Sequence, residues 1–456
     1  EKKLNLKKKE ETTSSELRLK KGHIHEDNYL KFLKSKYTKV IDIKNLKITK
    51  EDKFKKTIAC MKEGYEVIRG GYLKKDKWIG EFDFLEINKK LPSKFGDYSY
   101  EVLDTKNTSK PKPDHIIQIG MYTFLLESIQ GVLPKIFTIV LKDMVKEVVQ
   151  LNQVYEFFKV NKEKYEHFIL KKINKSTPEK CDFCQVCPWL DVCEKIWKNT
   201  DDLNQIYGMN KNYSKKLREQ KIKTASILSK QDEEKKFEGL RDETSRKLII
   251  QAKLQKEYEK TGKPVFKINE ENLNKIKGFN LLPKTSKCDL FFDIESVPDY
   301  VFPGKLEYLF GFYYVENDKE KFKPIWAHTK KEEKNNVLKF FDFTKKHFEK
   351  YPDAKIYHYA SYEITALEKL TSFHQVNMVE YDHYLILGKF VDLFRVIKQA
   401  LLVSENSYSI KNLEKFYNFK RSGDLQKGDI SQDYYTEWME TKNQKLLDEI
   451  EEYNKQ

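Results

Sequence analysis

No stretch of this sequence stays apolar for the roughly 18 to 20 residues that a bilayer-crossing helix needs. Its opening, EKKLNLKKKE, has no apolar core of the secretory-signal kind. The composition therefore predicts a soluble, intracellular, cytoplasmic protein with no membrane partner. Cysteine is scarce: of six residues, four crowd into CDFCQVCPWLDVC at 181–193, and Cys60 and Cys288 stand alone. That distribution excludes a secreted disulfide framework and favours a metal site in a reducing compartment. Internal repeats and base-reading motifs are missing as well. The chain starts with Glu, not Met, which leads to the expectation that its native start is missing.

Charge is plentiful. Lys+Arg 86 against Asp+Glu 71 gives a formal net charge of +15, which favours a polyanionic partner, nucleic acid first. A length of 456 residues accommodates two or three domains.

Along the chain, residues 14–37 carry helix-like apolar spacing at Leu30, Leu33 and Tyr37. GYEVIRGGYL, WIGEFDFLEI and YSYEVLDTK read as a meander of strands. PDHIIQIGMYTFLLESIQG reads as a helix with Ile117, Met121 and Phe124 on one face. The strand KIFTIVL and a helix around VYEFFKVNKEKYEHFILKKI complete a mixed α/β domain, residues 1–198. Residues 199–284 are polar and helix-prone. They form either a plain linker or a helix-hairpin-helix-like unit, with Gly208 in its first turn and backbone N–H groups free for phosphates. Residues 285–456 open a third texture with the buried-strand run CDLFFDIESVP.

In WIGEFDFLEI, Asp83 sits inside an apolar strand, where a carboxylate is costly unless it meets a cation. EVLDTK presents Asp104 and Lys106 at i, i+2, on one face of a strand. Two carboxylates can hold Mg²⁺ or Mn²⁺ through oxygen while the lysine positions water or stabilises phosphate charge. Gln118 and Tyr122 follow at i, i+4 on the next helix, and GHIHE places His25 upstream. His23 falls outside the pattern and reads as a surface residue.

The order G-x-x-H-E, G-x-x-D, D-x-K, Q-x-x-x-Y resembles the RecB-like branch of the PD-(D/E)xK nucleases. The resemblance implies a restriction-endonuclease-like fold for the first domain. It makes His25, Asp83 and Asp104 metal ligands, Lys106 the catalytic lysine, and Gln118 with Tyr122 a supporting pair.

Four thiolates at C-x-x-C-x-x-C-x5-C spacing bind zinc or an iron-sulfur cluster. Several RecB-like nucleases carry an iron-sulfur staple, and Cys184, Cys187 and Cys193 resemble its C-x-x-C-x5-C portion. The resemblance implies a [4Fe-4S] cluster with a structural role. Cys181 is either a local fourth ligand or a spare beside an upstream cysteine that the chain starts too late to show. Cys60 lies between the first two motifs and is a poorer fourth ligand.

FFDIES sets Asp293 and Glu295 at i, i+2 at the end of an apolar strand, an acidic pair suited to a metal. Glu363 and Asp392 lie downstream. The arrangement resembles the ribonuclease-H-fold DEDD exonucleases, especially the YprB-like group fused behind RecB-like nucleases, and SYSIKNLEKF resembles that group's YSLK segment. The resemblance makes Asp293, Glu295 and Glu363 the second metal set, in a 3'-5' exonuclease-type domain. Tyr453 opens the last motif, and the chain stops at Gln456, one residue before the expected aspartate. The domain is thus expected to be truncated and its site weak or inactive.

Lysines supply salt-sensitive, sequence-independent attraction. Tyr65, Tyr72, Tyr98 and Tyr100 either stack bases or complete a core. Together these readings predict a Mg²⁺- or Mn²⁺-dependent nuclease acting on DNA, with RNA as an open second substrate, in repair, recombination or defence. The competing reading is a non-catalytic nucleic-acid-binding scaffold for a helicase partner.

Overall fold

The computed structural model describes residues 13–108, 110–170, 177–298, 305–421 and 428–456. EKKLNLKKKE lies outside the described residues. The chain divides into two compact units, residues 11–176 and 177–456. The predicted boundary at 198 falls inside the second unit, so the cysteine run groups with the residues that come after it.

In the first unit, α1 (Thr13–Lys36) leads to β1 (Val40–Asp42), α2 (Lys50–Lys62) and β2 (Val67–Arg69). Next come β3 (Tyr72–Lys75), β4 (Trp78–Glu81), β5 (Phe84–Asn88) and β6 (Ser99–Thr105). The unit closes with α3 (Pro113–Gln130), β7 (Ile136–Val140), β8 (Lys146–Gln150) and α4 (Leu151–Leu170). The main sheet runs β1-β2-β5-β6-β7-β8, with β1-β2 and β6-β7 parallel and the other pairs antiparallel. Among the described residues, β3 and β4 pair only with each other. The expected meander is therefore broken by a hairpin that leaves the sheet between β2 and β5.

Strand periodicity sorts the core into two faces. Val67, Phe84, Leu103 and Val140 pack with Tyr29, Leu30 and Leu33 of α1. Ile68, Leu85, Val102 and Ile139 pack with Cys60 and Met61 of α2 and with Ile119, Tyr122, Leu125 and Leu126 of α3. Of the residues expected together on one face of α3, Met121 and Phe124 are half-buried against this core, whereas Ile117 is 37% exposed. Cys60, Tyr72 and Tyr100 are buried, so Cys60 is a core residue and those two tyrosines complete a core and do not offer rings to bases.

The second unit starts with the cysteine run, α5 (Leu190–Asn199), α6 (Lys211–Glu219), α7 (Ala225–Ser229) and α8 (Asp242–Thr261). Leu217, Ile222, Ala225, Leu228 and Ile249 give this helical part its own core. Gly208 lies in a turn before α6, with positive φ and open space beside it.

Beyond it run β9 (Phe266–Ile268), β10 (Leu290–Val297), β11 (Leu306–Glu316), β12 (Lys319–Trp326), α9 (Lys330–Lys350), β13 (Ile356–His358) and α10 (Tyr362–His374). The remaining elements are α11 (Met378–Ile386), β14 (Phe390–Asp392), α12 (Leu393–Ala400), β15 (Leu401–Val403), α13 (Ile410–Leu413), α14 (Gly428–Thr441) and α15 (Gln444–Lys455).

Five strands in the order β12-β11-β10-β13-β14 form the sheet, antiparallel up to β10 and parallel beyond it. Leu290, Phe292 and Ile294 of β10 face the core under α9 and α10. By alternation Asp293 and Glu295 face the other side, where α14 and α15 bring Tyr435, Trp438, Leu447 and Ile450. No helix among the described residues is long and apolar enough to cross a membrane.

Candidate functional site

Leu103 is committed to the α1 face, so Asp104 and Lys106 turn toward α3. Asp104 is fully buried; the Lys106 ammonium lies 2.6 Å from its Oδ2, and its Oδ1 meets no donor among the described residues. Burial first, then the Asp83 charge, push its carboxyl up to about 7 against the pull of Lys106. Lys106 Nζ also donates to Gln118 Oε1 at 2.9 Å, and Gln118 Nε2 donates to the Tyr122 hydroxyl at 2.8 Å. The i, i+4 spacing on α3 makes this relay possible. Tyr122 is seated against Gly80, where a Cβ would stand 2.7 Å from its ring. The glycine of G-x-x-D thus has a packing cause.

Asp83 lies in the bend between β4 and β5, not inside a strand as expected. Its Oδ2 accepts hydrogen bonds from Thr105 N (2.8 Å) and Thr105 Oγ1 (2.7 Å), which ties the bend to the end of β6. His25 Nε2 lies 3.2 Å from the Val140 carbonyl, the same carbonyl that accepts the Lys106 N–H at 2.8 Å. His25, Asp83, Asp104, Lys106, Gln118 and Tyr122 therefore meet around the C-terminal ends of β6 and β7. His23 is exposed.

Sequence reasoning assigned no role to the anchor behind His25. Glu26 is buried and receives Arg69 Nε at 2.9 Å and the Lys44 ammonium. Arg69 also pairs with Asp27 and Asp42, so one buried guanidinium fixes α1 to β1 and β2. The Glu beside His25 in GHIHE was the available signal.

In the second unit Asp293, Glu295 and Glu363 form a carboxylate cluster. Burial, then the Glu295 and Glu363 charges, raise Asp293 well above the usual carboxylate range. Burial pushes Glu295 up to about 7, against the Ser431 hydroxyl, which donates to it at 2.8 Å. Glu363, in the first turn of α10, is buried; its Oε2 accepts no hydrogen bond and lies 3.6 Å from His358 Nδ1. Asn454 of α15 donates to Asp293 Oδ2 at 2.9 Å. Tyr453 lies beside the cluster, its hydroxyl raised by burial and then by Glu295. Asp392, named with these carboxylates from sequence, instead accepts from Ala360 N and Arg395 N and caps α12.

Cys181, Cys184, Cys187 and Cys193 are free thiols on a single 3-10 turn and the start of α5. The Cys181 and Cys184 sulfurs are 3.9 Å apart, and Cys181 N donates to Cys184 Sγ. Burial, then the neighbouring cysteines, push the Cys193 thiol up. Trp197 Nε1 donates to the Pro178 carbonyl and brackets the run.

The oxygen donors of both carboxylate groups suit a hard divalent cation, and the unpartnered oxygens of Asp104 and Glu363 leave room in their bonding for one. Among the described residues, however, no three His, Cys, Asp or Glu side chains are already arranged to hold a metal ion. No curated protein matches the chain. Residues 290–456 match the RNase_H_2 family model of the RNase H superfamily, and the sheet from β10 to β14 with its helices is accordingly an RNase H-like domain, which points to nuclease-type activity.

Proposed function

We propose that this chain is a divalent-metal-dependent nuclease that hydrolyses DNA phosphodiester bonds, at single strands or ends, through a RecB-like site in the first unit. The observation that carries the reading is the convergence of Asp104, Lys106, Gln118 and Tyr122, from a strand and the helix after it, beside Asp83 and His25. His25, Asp83 and Asp104 would hold Mg²⁺ or Mn²⁺, which when bound supplies charge for the phosphate and a more acidic water. Lys106 supplies a fixed ammonium, and Gln118 holds it in place from the Tyr122 side. Asp293, Glu295 and Glu363 would hold the metal of the RNase H-like domain. The net charge of +15 draws a polyanion to either site.

Cys184, Cys187 and Cys193, with Cys181 as the fourth ligand, are proposed to hold a [4Fe-4S] cluster. Zinc is the alternative, because the 3.9 Å Cys181–Cys184 separation is close to the edge of a tetrahedron with roughly 2.3 Å zinc–sulfur bonds. Iron and sulfide analysis of anaerobically purified protein separates the two; a colourless protein with stoichiometric zinc removes the cluster.

The second functional reading, a nucleic-acid-binding scaffold for a helicase, is favoured by Asn454 lying on Asp293. Labelled single-stranded and duplex DNA and RNA incubated with Mn²⁺ decide between them, using the unmodified chain, Lys106→Ala and Asp293→Ala. Cleavage lost only with Lys106→Ala supports the first site. Binding without metal-dependent cleavage by any of the three leaves the scaffold.

A further inference from the structure

Between β13 and α10 the backbone takes a left-handed turn at a residue with a side chain: Ala360 has φ +75°. An L-residue holds that conformation only where its surroundings over-determine it. Here both polar groups of the Ala360 backbone are held by side chains. Its N–H donates to Asp392 Oδ1 at 3.0 Å, and its carbonyl lies 2.6 Å from His358 Nδ1. Asp392 Oδ1 also accepts the Arg395 N–H at 3.2 Å, so one oxygen joins the turn to the start of α12. Parallel pairing places His358 opposite Asp392, which sets both holders at the same level of the sheet. Tyr359, one residue before the turn, donates its hydroxyl to the Tyr408 carbonyl.

The turn sets the direction in which α10 starts. Three residues after Ala360, Glu363 enters the first turn of that helix and reaches the cluster with Asp293. Relaxing Ala360 to an ordinary φ would redirect this first turn and swing Glu363 away.

We propose that Asp392 is a positioning residue for the RNase H-like site: it stabilises the left-handed Ala360 turn and thereby aims Glu363 at Asp293, without itself touching metal or substrate. The proposal rests on the reading of Asp293, Glu295 and Glu363 as metal-holding residues.

The two roles open to Asp392, ligand and turn holder, differ in what they need. A ligand needs the negative charge, whereas the turn needs only an acceptor oxygen, which an amide retains. A turn holder also becomes dispensable once residue 360 adopts positive φ without strain, as glycine does. The experiment uses the full chain carrying Asp104→Asn, so that Mn²⁺ uptake measured by calorimetric titration reports the second unit.

In that background Glu363→Gln and Asp392→Ala are each expected to weaken Mn²⁺ binding roughly tenfold. Asp392→Asn stays within about threefold of the parent, because the oxygen that accepts both N–H groups survives. Adding Ala360→Gly to Asp392→Ala restores affinity to within about threefold and recovers part of the lost melting temperature, the lost cap of α12 accounting for the rest. Asp392→Asn as weak as Glu363→Gln overturns the proposal and makes Asp392 a ligand. Failure of Ala360→Gly to rescue Asp392→Ala overturns it as well. If the parent takes up no Mn²⁺ in this unit, the metal reading fails by itself. The turn is then judged by melting alone, where an Asp392→Ala/Ala360→Gly double variant that melts no higher than Asp392→Ala refutes it.

Discussion

Buried Asp104 in the first unit and half-buried Glu295 in the second are both acids pushed up to about 7, yet different kinds of neighbour restrain them. Asp104 has an ammonium 2.6 Å away, itself held by an amide from the next helix. Glu295 has a hydroxyl at 2.8 Å, a weaker pull from the Lys411 charge and, beside these, the acids Asp293 and Glu363. A nearby cation lets a carboxylate ionise at a cost set mainly by desolvation; a group of acids must share protons until a cation arrives. On the proposed reading, the first arrangement holds its ammonium in place before a metal binds, whereas the second keeps protons on its acids until one does.

The largest effect expected from this contrast is catalytic. Lys106→Ala should lower metal-dependent cleavage by roughly 10² to 10³, the scale of losing a fixed group that acts on the reacting phosphate. Steady-state cleavage rates measure it; a loss under about threefold would remove Lys106 from the chemistry.

Next comes stability. Lys106→Met leaves Asp104 buried with no compensating charge and should cost about 2 to 3 kcal/mol at pH 8. The cost should shrink at pH 5, where Asp104 takes a proton, and Asp104→Asn in the same chain should recover most of it. Urea unfolding at the two pH values checks both statements.

A smaller effect is carried by pH. Asp104 and Glu295 are raised from ordinary values of 3.8 and 4.5 to about 7, so the folded chain holds these protons more tightly than the unfolded one. Their contribution to stability is complete below the ordinary values and is lost as pH rises through 7. Melting temperature in the absence of divalent ions should therefore fall across that window, and Glu295→Gln should flatten part of the fall. Mn²⁺ should raise melting more at pH 8 than at pH 5, and more in the second unit than in the first.

The smallest expected change belongs to Asn454→Ala, which removes one hydrogen bond to Asp293 and costs about 1 kcal/mol. A calorimetric melt reads it, and a cost above about 3 kcal/mol would mean that α15 depends on this contact far more than one neutral donor explains.

Much of this molecule was legible from short-range pattern. The i, i+2 pair Asp104 and Lys106 and the i, i+4 pair Gln118 and Tyr122 follow from strand and helix periods, and both appear where those periods put them. What was illegible depends on long-range pairing. Asp83 reads as a strand residue because Phe82 and Phe84 flank it, but the β3-β4 hairpin ends before it and β5 begins after it. The deepest side of α3 was not legible either: Gly120, which looks neutral by sequence, is the contact point for Phe158, and Ile119, Leu125 and Leu126 are buried beside it. Asp392 carries the same acidic signature as Glu363; only the position of the Ala360 N–H, supplied by the turn after a different strand, separates a turn holder from a cluster member.

Gly311 lies opposite Asp293 on β11, and a methyl group there would stand 1.7 Å from Asn454 Oδ1. The Asn454 amide therefore reaches Asp293 in this position because residue 311 on the adjoining strand has no side chain. Alanine or serine there would turn the Asn454 amide aside or lift the helix, and either course weakens the contact with Asp293. Residue 311, remote in sequence from every acid in the cluster, is thus the simplest marker by which versions of this domain with and without that contact can be told apart.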